Sequence, residues 1–152
     1  MFGCKATSPC PLSLPNRLPS EMPQLRILHI GLSLSAVLVT LTLGALRSFG
    51  PASTGALTPV LAWTLLGLAA MTMLSAATVR TSIAAATADQ GDEVWIDANR
   101  IKCLTVWALL EGGVALCAIA LFLGANAWPA GVLAAGGLGF LASQSPGTLA
   151  GH

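Results

Sequence analysis

Charged side chains are scarce in this 152-residue sequence: lysine, arginine, aspartate and glutamate together make up 9% of it, where a soluble domain carries about 25%. Seven basic and six acidic residues leave a net charge of +1, so no global field draws in nucleic acid or an acidic substrate, and nucleic acid is excluded as a partner. Histidine is nearly missing as well, with only His29 and the terminal His152. One internal imidazole does not make a bis-histidine haem site between helices, and no cofactor is expected. The four cysteines, Cys4, Cys10, Cys103 and Cys117, are too few and too scattered for a disulfide scaffold and form no Cys-x-x-Cys or Cys/His cluster, so no metal site is expected. They read as small apolar residues plus two solvent-exposed thiols, with an acylation or metal site at Cys4 and Cys10 as the alternative. Gly-x-Ser-x-Gly, His-Glu-x-x-His, P-loop and dinucleotide fingerprints are all lacking, and the chain is not expected to be an enzyme.

What remains is apolar. Hydrophobic residues make up 55% of the chain and its mean hydropathy is +0.78, which points to an all-α integral membrane bundle of about four transmembrane helices arranged as two helical hairpins. Residues 1–22 carry Pro9, Pro11, Pro15 and Pro19, which break any helix and any signal-peptide core. Met22 stands just before a basic and then apolar run, so it is expected to be the initiator, with the preceding residues an extension; a disordered tail is the alternative. Residues 23–145 then form the four-helix membrane domain.

The first span is expected over 25–46, closed by Arg47, and a Gly/Pro-rich turn follows it. Thr58 and Pro59 read as an N-cap and a first helical proline opening the second span, 59–79. A polar connection, 80–102, carries helical extensions on both sides and four of the six acids, Asp89, Asp92, Glu93 and Asp97. Their spacing does not fit a calcium loop, and they read as a solvated loop in which Asp97 caps the next helix. The third span is expected over 103–123. After a tight turn at Gly124 and Asn126 comes the fourth, 128–142, at roughly fifteen residues shorter than the twenty a crossing normally needs. Residues 146–152 are expected as a tail. Trp63, Trp95, Trp107 and Trp128 sit near span ends and are expected as interfacial anchors.

Lys5, Arg17, Arg26, Arg80, Arg100 and Lys102 flank the spans on one side and Arg47 alone flanks them on the other. By the positive-inside rule, both termini and the charged loop are expected in the cytoplasm, with the chain multi-pass in a bacterial inner membrane. No long-period or inverted repeat marks the chain as a secondary transporter.

One residue breaks the apolar pattern of the third span. Glu111 falls near its middle, where an ionised carboxylate costs at least about 2.5 kcal/mol, so the group needs either a partner or a proton. One reading is a proton- or ligand-binding carboxyl; the other is a glutamic acid that hydrogen-bonds a neighbouring helix through Thr40, Thr42, Thr64, Thr72 or Ser75. Gly112 and Gly113 beside it let another backbone come close, and Gly131, Ala135 and Gly139 form a further small-residue stripe for helix packing. His29, about a turn inside one end of the first span, is expected as an interface residue without a special role and at a different depth from Glu111.

The segment Ala108-Leu109-Leu110-Glu111-Gly112, followed by Ala118-Ile119-Ala120-Leu121-Phe122-Leu123, resembles the carboxylate helix of the proteolipid (c-type) subunits of rotary ATPases over about twenty residues. That resemblance implies a helical hairpin whose polar loop faces the cytoplasm and a proton or cation carried on Glu111. The preceding helix has Gly67 alone in place of the family's glycine ladder, and the loop has no Arg-Gln-Pro-like turn. In overall layout the chain more closely resembles small bacterial four-helix membrane proteins with an Ala-Leu-x-Glu-Gly helix, which implies no particular activity. The expected function is that of a structural or accessory subunit, packing in the lipid bilayer as a homo-oligomer or within a larger membrane complex.

Overall fold

The computed structural model describes residues 22–49, 59–86 and 92–150. Cys4, Cys10, the N-terminal prolines, Thr58 and Asp89 lie outside the described residues. The described chain is all-α: α1 (Met22–Phe49), α2 (Pro59–Thr81), α3 (Asp92–Phe122), α4 (Ala127–Ser143) and a short α5 (Pro146–Ala150). Within α1, α2 and α3, the stretches Pro23–Phe49, Pro59–Thr81 and Val94–Phe122 are long and apolar enough to cross a membrane. The 17 residues of α4 rise about 26 Å, a few ångströms less than the hydrocarbon core.

α3 is the hub of the bundle and packs against α1, α2 and α4. Its buried residues Cys103, Val106, Trp107, Leu110, Val114 and Cys117 recur three or four positions apart, which places them on one side of the helix. α1 and α2 instead leave Ile30, Leu34, Leu41, Val60, Met71 and Leu74 exposed. Such a surface would drive a water-soluble chain to aggregate, whereas lipid tails are as apolar as leucine and leave no incentive to bury it.

Small residues set how closely the helices approach. A Cβ placed on Gly113 would stand 2.8 Å from Met73 Cγ and 2.9 Å from Thr72 Oγ1, both on α2. At Gly137 it would stand 2.5 Å from Met73 Cε and 2.8 Å from Val114 Cγ2. Met73 thus threads between α3 and α4 only because both neighbours lack a side chain. Gly112, Gly131 and Gly139 have open space at the same position and Ala135 is exposed, so within one chain these four do not bring helices together. α4 turns Ala130, Ala134, Gly137 and Leu141 inward instead.

The α3–α4 turn follows from its two polar-turn residues. Gly124 takes φ +103°, a conformation that favours glycine. The N–H of Ala125 donates to Ala120 O at 2.9 Å and that of Gly124 to Leu121 O at 3.1 Å, the paired bonds of a Schellman stop. Asn126 then caps α4, its side chain accepting from Trp128 N at 3.1 Å.

Three stretches depart from the sequence expectation. α2 stops at Thr81 and does not run on into the alanine-rich stretch. Ile83 is buried there, while Lys102 Nζ donates to Ser82 O at 2.9 Å and Trp95 Nε1 donates to Ala84 O at 2.7 Å. Those two donors satisfy the carbonyls that leave the helix. Asp97 does not cap α3, which already begins at Asp92. The chain end, expected as a tail, holds α5, whose Pro146, Leu149 and Ala150 are buried and whose Ala150 O accepts from Ala86 N at 3.0 Å.

Gly137→Ala and Gly113→Ala are expected to lower stability by about 1–3 kcal/mol through overpacking. Gly139→Ala and Gly112→Ala, in open space, are expected to be neutral or to gain up to about 1 kcal/mol from helix propensity. Thermal unfolding of the four variants in one detergent checks the split; equal effects at all four positions would contradict the packing described.

Candidate functional site

Helices end with carbonyls that have no partner in their own ladder. In a bundle surrounded by lipid, those of the short α4 must find donors from neighbouring helices. The structure supplies them from α1 and α3, and α2 holds the Gln144 side chain beside them. His29 of α1 is buried, and its Nε2 donates to Leu141 O at 2.9 Å. Trp107 of α3 is fully buried and donates its indole N–H to Gln144 O at 2.8 Å. Arg80 of α2 donates through Nε to Gln144 Oε1 at 2.9 Å. Gln144 also caps α4 with its own backbone N–H on Leu141 O at 3.1 Å, and its Nε2 donates to Ser143 Oγ at 3.0 Å. The rings of His29 and Trp107 lie 5.0 Å apart and tilted by 57°. A cation at a helix C-terminus also meets the negative end of the helix dipole, which favours Arg80 in this place.

The opposite end of the bundle is closed in the same manner. Arg47, near the end of α1, donates through Nη1 to Leu121 O and, at 3.1 Å, to Ala125 O. Arg47 thus holds backbone carbonyls at the α3–α4 turn, and Arg80 holds the Gln144 side chain at the far end of α4.

This polar cluster corrects two expectations. His29 has a specific role, because its ring is turned inward onto Trp107 and Leu141 O. Trp95 and Trp107 are not interfacial anchors, being 1% and 0% exposed, whereas Trp63 and Trp128 are 65% and 78% exposed at the surface. Gln144 carried no signal in a single sequence: a glutamine after an apolar run looks like a span boundary, and only the fold brings Arg80 and Trp107 to it.

Glu111 sits on the flank of α3, partly exposed, and makes no hydrogen bond or ion pair among the described residues. Four of the hydroxyls that could have reached it are spent on their own helices: Thr40 donates to Ala36 O, Thr64 to Val60 O, Thr72 to Ala69 O and Ser75 to Met71 O, each at 2.8 Å. The adjoining Ala108 and Gly112 are exposed, so a small-residue surface runs beside the carboxyl. Cys103 and Cys117 are buried free thiols on the inner side of the same helix. Among the described residues, no three histidine, cysteine, aspartate or glutamate side chains gather into a metal-holding group.

The all-α architecture, with three helices long and apolar enough to cross a membrane, is that of a helical membrane protein. Compared with protein families, with characterised proteins and with solved structures, the chain matches none.

Removing a donor that serves a buried acceptor leaves that acceptor unsatisfied, at about 1–3 kcal/mol. Trp107→Phe is therefore expected to lower stability by that amount, since Gln144 O has the indole as its donor. His29→Phe is expected to lose less, because Leu141 O keeps the backbone N–H of Gln144. Denaturation midpoints in detergent measure both, and a larger loss for His29→Phe would contradict this assignment of partners.

Proposed function

We propose that the chain is a structural or accessory subunit of a membrane assembly, and that the Glu111 flank of α3 is completed by a helix from a second copy of this chain or from a larger complex. The observation that carries this reading is the Glu111 carboxyl without a partner among the described residues. A polar group at that depth is costly when left to lipid, and helices in membranes associate through interhelical hydrogen bonds and small residues. Glu111 together with exposed Ala108 and Gly112 presents both. The outward Gly131, Ala135 and Gly139 of α4 offer a second small-residue face of the same kind.

A bacterial inner membrane with both termini in the cytoplasm fits the charge distribution. Arg80 and Lys102 lie at the end of the bundle where α4 finishes, with Arg26 and Arg100 in the first turns of α1 and α3, and Arg47 lies at the other end. This topology requires α4 to cross the membrane from the Arg47 end to the Arg80 end.

Glu111→Leu is expected to shift the detergent-solubilised protein toward monomer, and Glu111→Gln, which keeps hydrogen-bonding capacity, to retain the assembly. An interhelical hydrogen bond of about 0.6–2 kcal/mol predicts a change of roughly 3- to 30-fold in the association constant. Light scattering coupled to size exclusion reads it, and an identical distribution for wild type and both variants contradicts the reading.

The same carboxyl supports a second reading, a proteolipid-like carrier of protons or cations, because it is partly exposed and uncommitted. A hydrophobic carbodiimide should then label Glu111 selectively, with labelling that falls as pH rises and uptake into proteoliposomes that is lost in Glu111→Gln. Absence of labelling rules the carrier out.

A further inference from the structure

Two open surface hollows beside α1 share a wall made by His29 and Ile30. One, of about 240 Å³, extends to Arg26 and to Ser145 and Gly147 at the start of α5. The other, of about 350 Å³, extends to Ser33, Leu34, Val37 and Ala142. Together they form one groove along the seam where α1 barely touches α4. From Arg26 to Val37 it runs eleven residues, about 16 Å along the helix axis, which is close to half of the roughly 30 Å hydrocarbon core and so to the depth of one leaflet.

The polar groups in this groove follow an order. Arg26 stands at its outer end and makes no hydrogen bond or ion pair among the described residues. His29 has committed Nε2 to Leu141 O, which leaves Nδ1 as an acceptor without a partner among those residues. Ser33 Oγ is shielded and has no hydrogen bond among the described residues. The hydroxyls of Thr40, Ser48, Thr64, Ser75 and Thr105 each donate to the carbonyl four residues back; those of Ser35 and Thr42 do not, but unlike Ser33 Oγ they belong to exposed residues. A shielded donor left without an acceptor is destabilising in an apolar surrounding. Beyond Ser33 the wall is wholly apolar.

We propose that this groove holds one anionic diacyl phospholipid from the leaflet on the side where α1 begins. Its phosphate lies at Arg26, its glycerol ester lies at the level of His29 and Ser33, where a carbonyl accepts from Ser33 Oγ, and one acyl chain runs along Leu34 and Val37. The charge, the unsatisfied hydroxyl and the length each match one part of that molecule in sequence.

The test uses the full chain in mild detergent with added phosphatidylglycerol or phosphatidylcholine of identical chains, read by native mass spectrometry. One phosphatidylglycerol is expected to stay bound per chain, about fivefold more tightly than phosphatidylcholine, the scale of one basic residue near anionic lipid. Arg26→Gln should erase that preference, Val37→Trp should weaken retention of both lipids, and inorganic phosphate should displace neither. Both substitutions fall on exposed positions, so the lipid-free variants should unfold within a few degrees of wild type. Equal retention of the two lipids, a preference that survives Arg26→Gln, or a groove covered by a second chain without lipid would each overturn the proposal.

Discussion

The last turn of α4 is the constraint on which the rest of the bundle depends. This helix is shorter than the bilayer core it packs within, so its final carbonyls cannot count on water. Leu141 O and Gln144 O are served by His29 from α1 and Trp107 from α3, while Arg80 from α2 holds the Gln144 side chain. One turn therefore collects a bond from each of the long helices and fixes their relative heights. Apolar packing cannot do this in lipid, because sliding one leucine-rich surface along another exchanges like for like.

Glu111 is the counterpart of that turn. Both are polar features of an apolar bundle, yet one is closed within the chain and the other is left with no partner among the described residues. The contrast gives the protein two kinds of surface. α3 is largely engaged inward with three neighbours, while its Glu111 flank, the outer stripe of α4 and the open seam beside α1 face outward. A molecule built this way has an engaged interior and open outer faces, and the proposed role as a subunit rests on those faces.

Much of the fold could be read from hydropathy and punctuation. Long runs free of charge announce α1, α2 and α3, and Gly124 with Asn126 announces the stop of α3 and the start of α4, because each of those signals is local. The polar closure is not local. His29, Arg80, Trp107 and Gln144 are separated by dozens of residues, and nothing in a single sequence says that an imidazole near one span end will meet the carbonyl ending another. Trp95 and Trp107 mislead for a related reason, since tryptophan near a span end fits both the interface and a buried donor to a backbone carbonyl. The small-residue pattern was similarly two-sided. Gly113 and Gly137 face Met73 while Gly112 and Gly139 face outward, a difference of rotation about the helix that no motif records. α5 was hidden because a short polar segment after the last apolar run has the composition of a tail, and its docking depends on Ala86.

Amide hydrogen exchange along α4, measured by mass spectrometry on the protein in lipid nanodiscs, tests the closure of its last turn most directly. The account predicts that the amides from Leu141 through Gln144 are protected as strongly as those around Ala134, and that Trp107→Phe selectively loosens them. Exchange at this turn as fast as that of an unpaired helix end in the wild-type protein would contradict it.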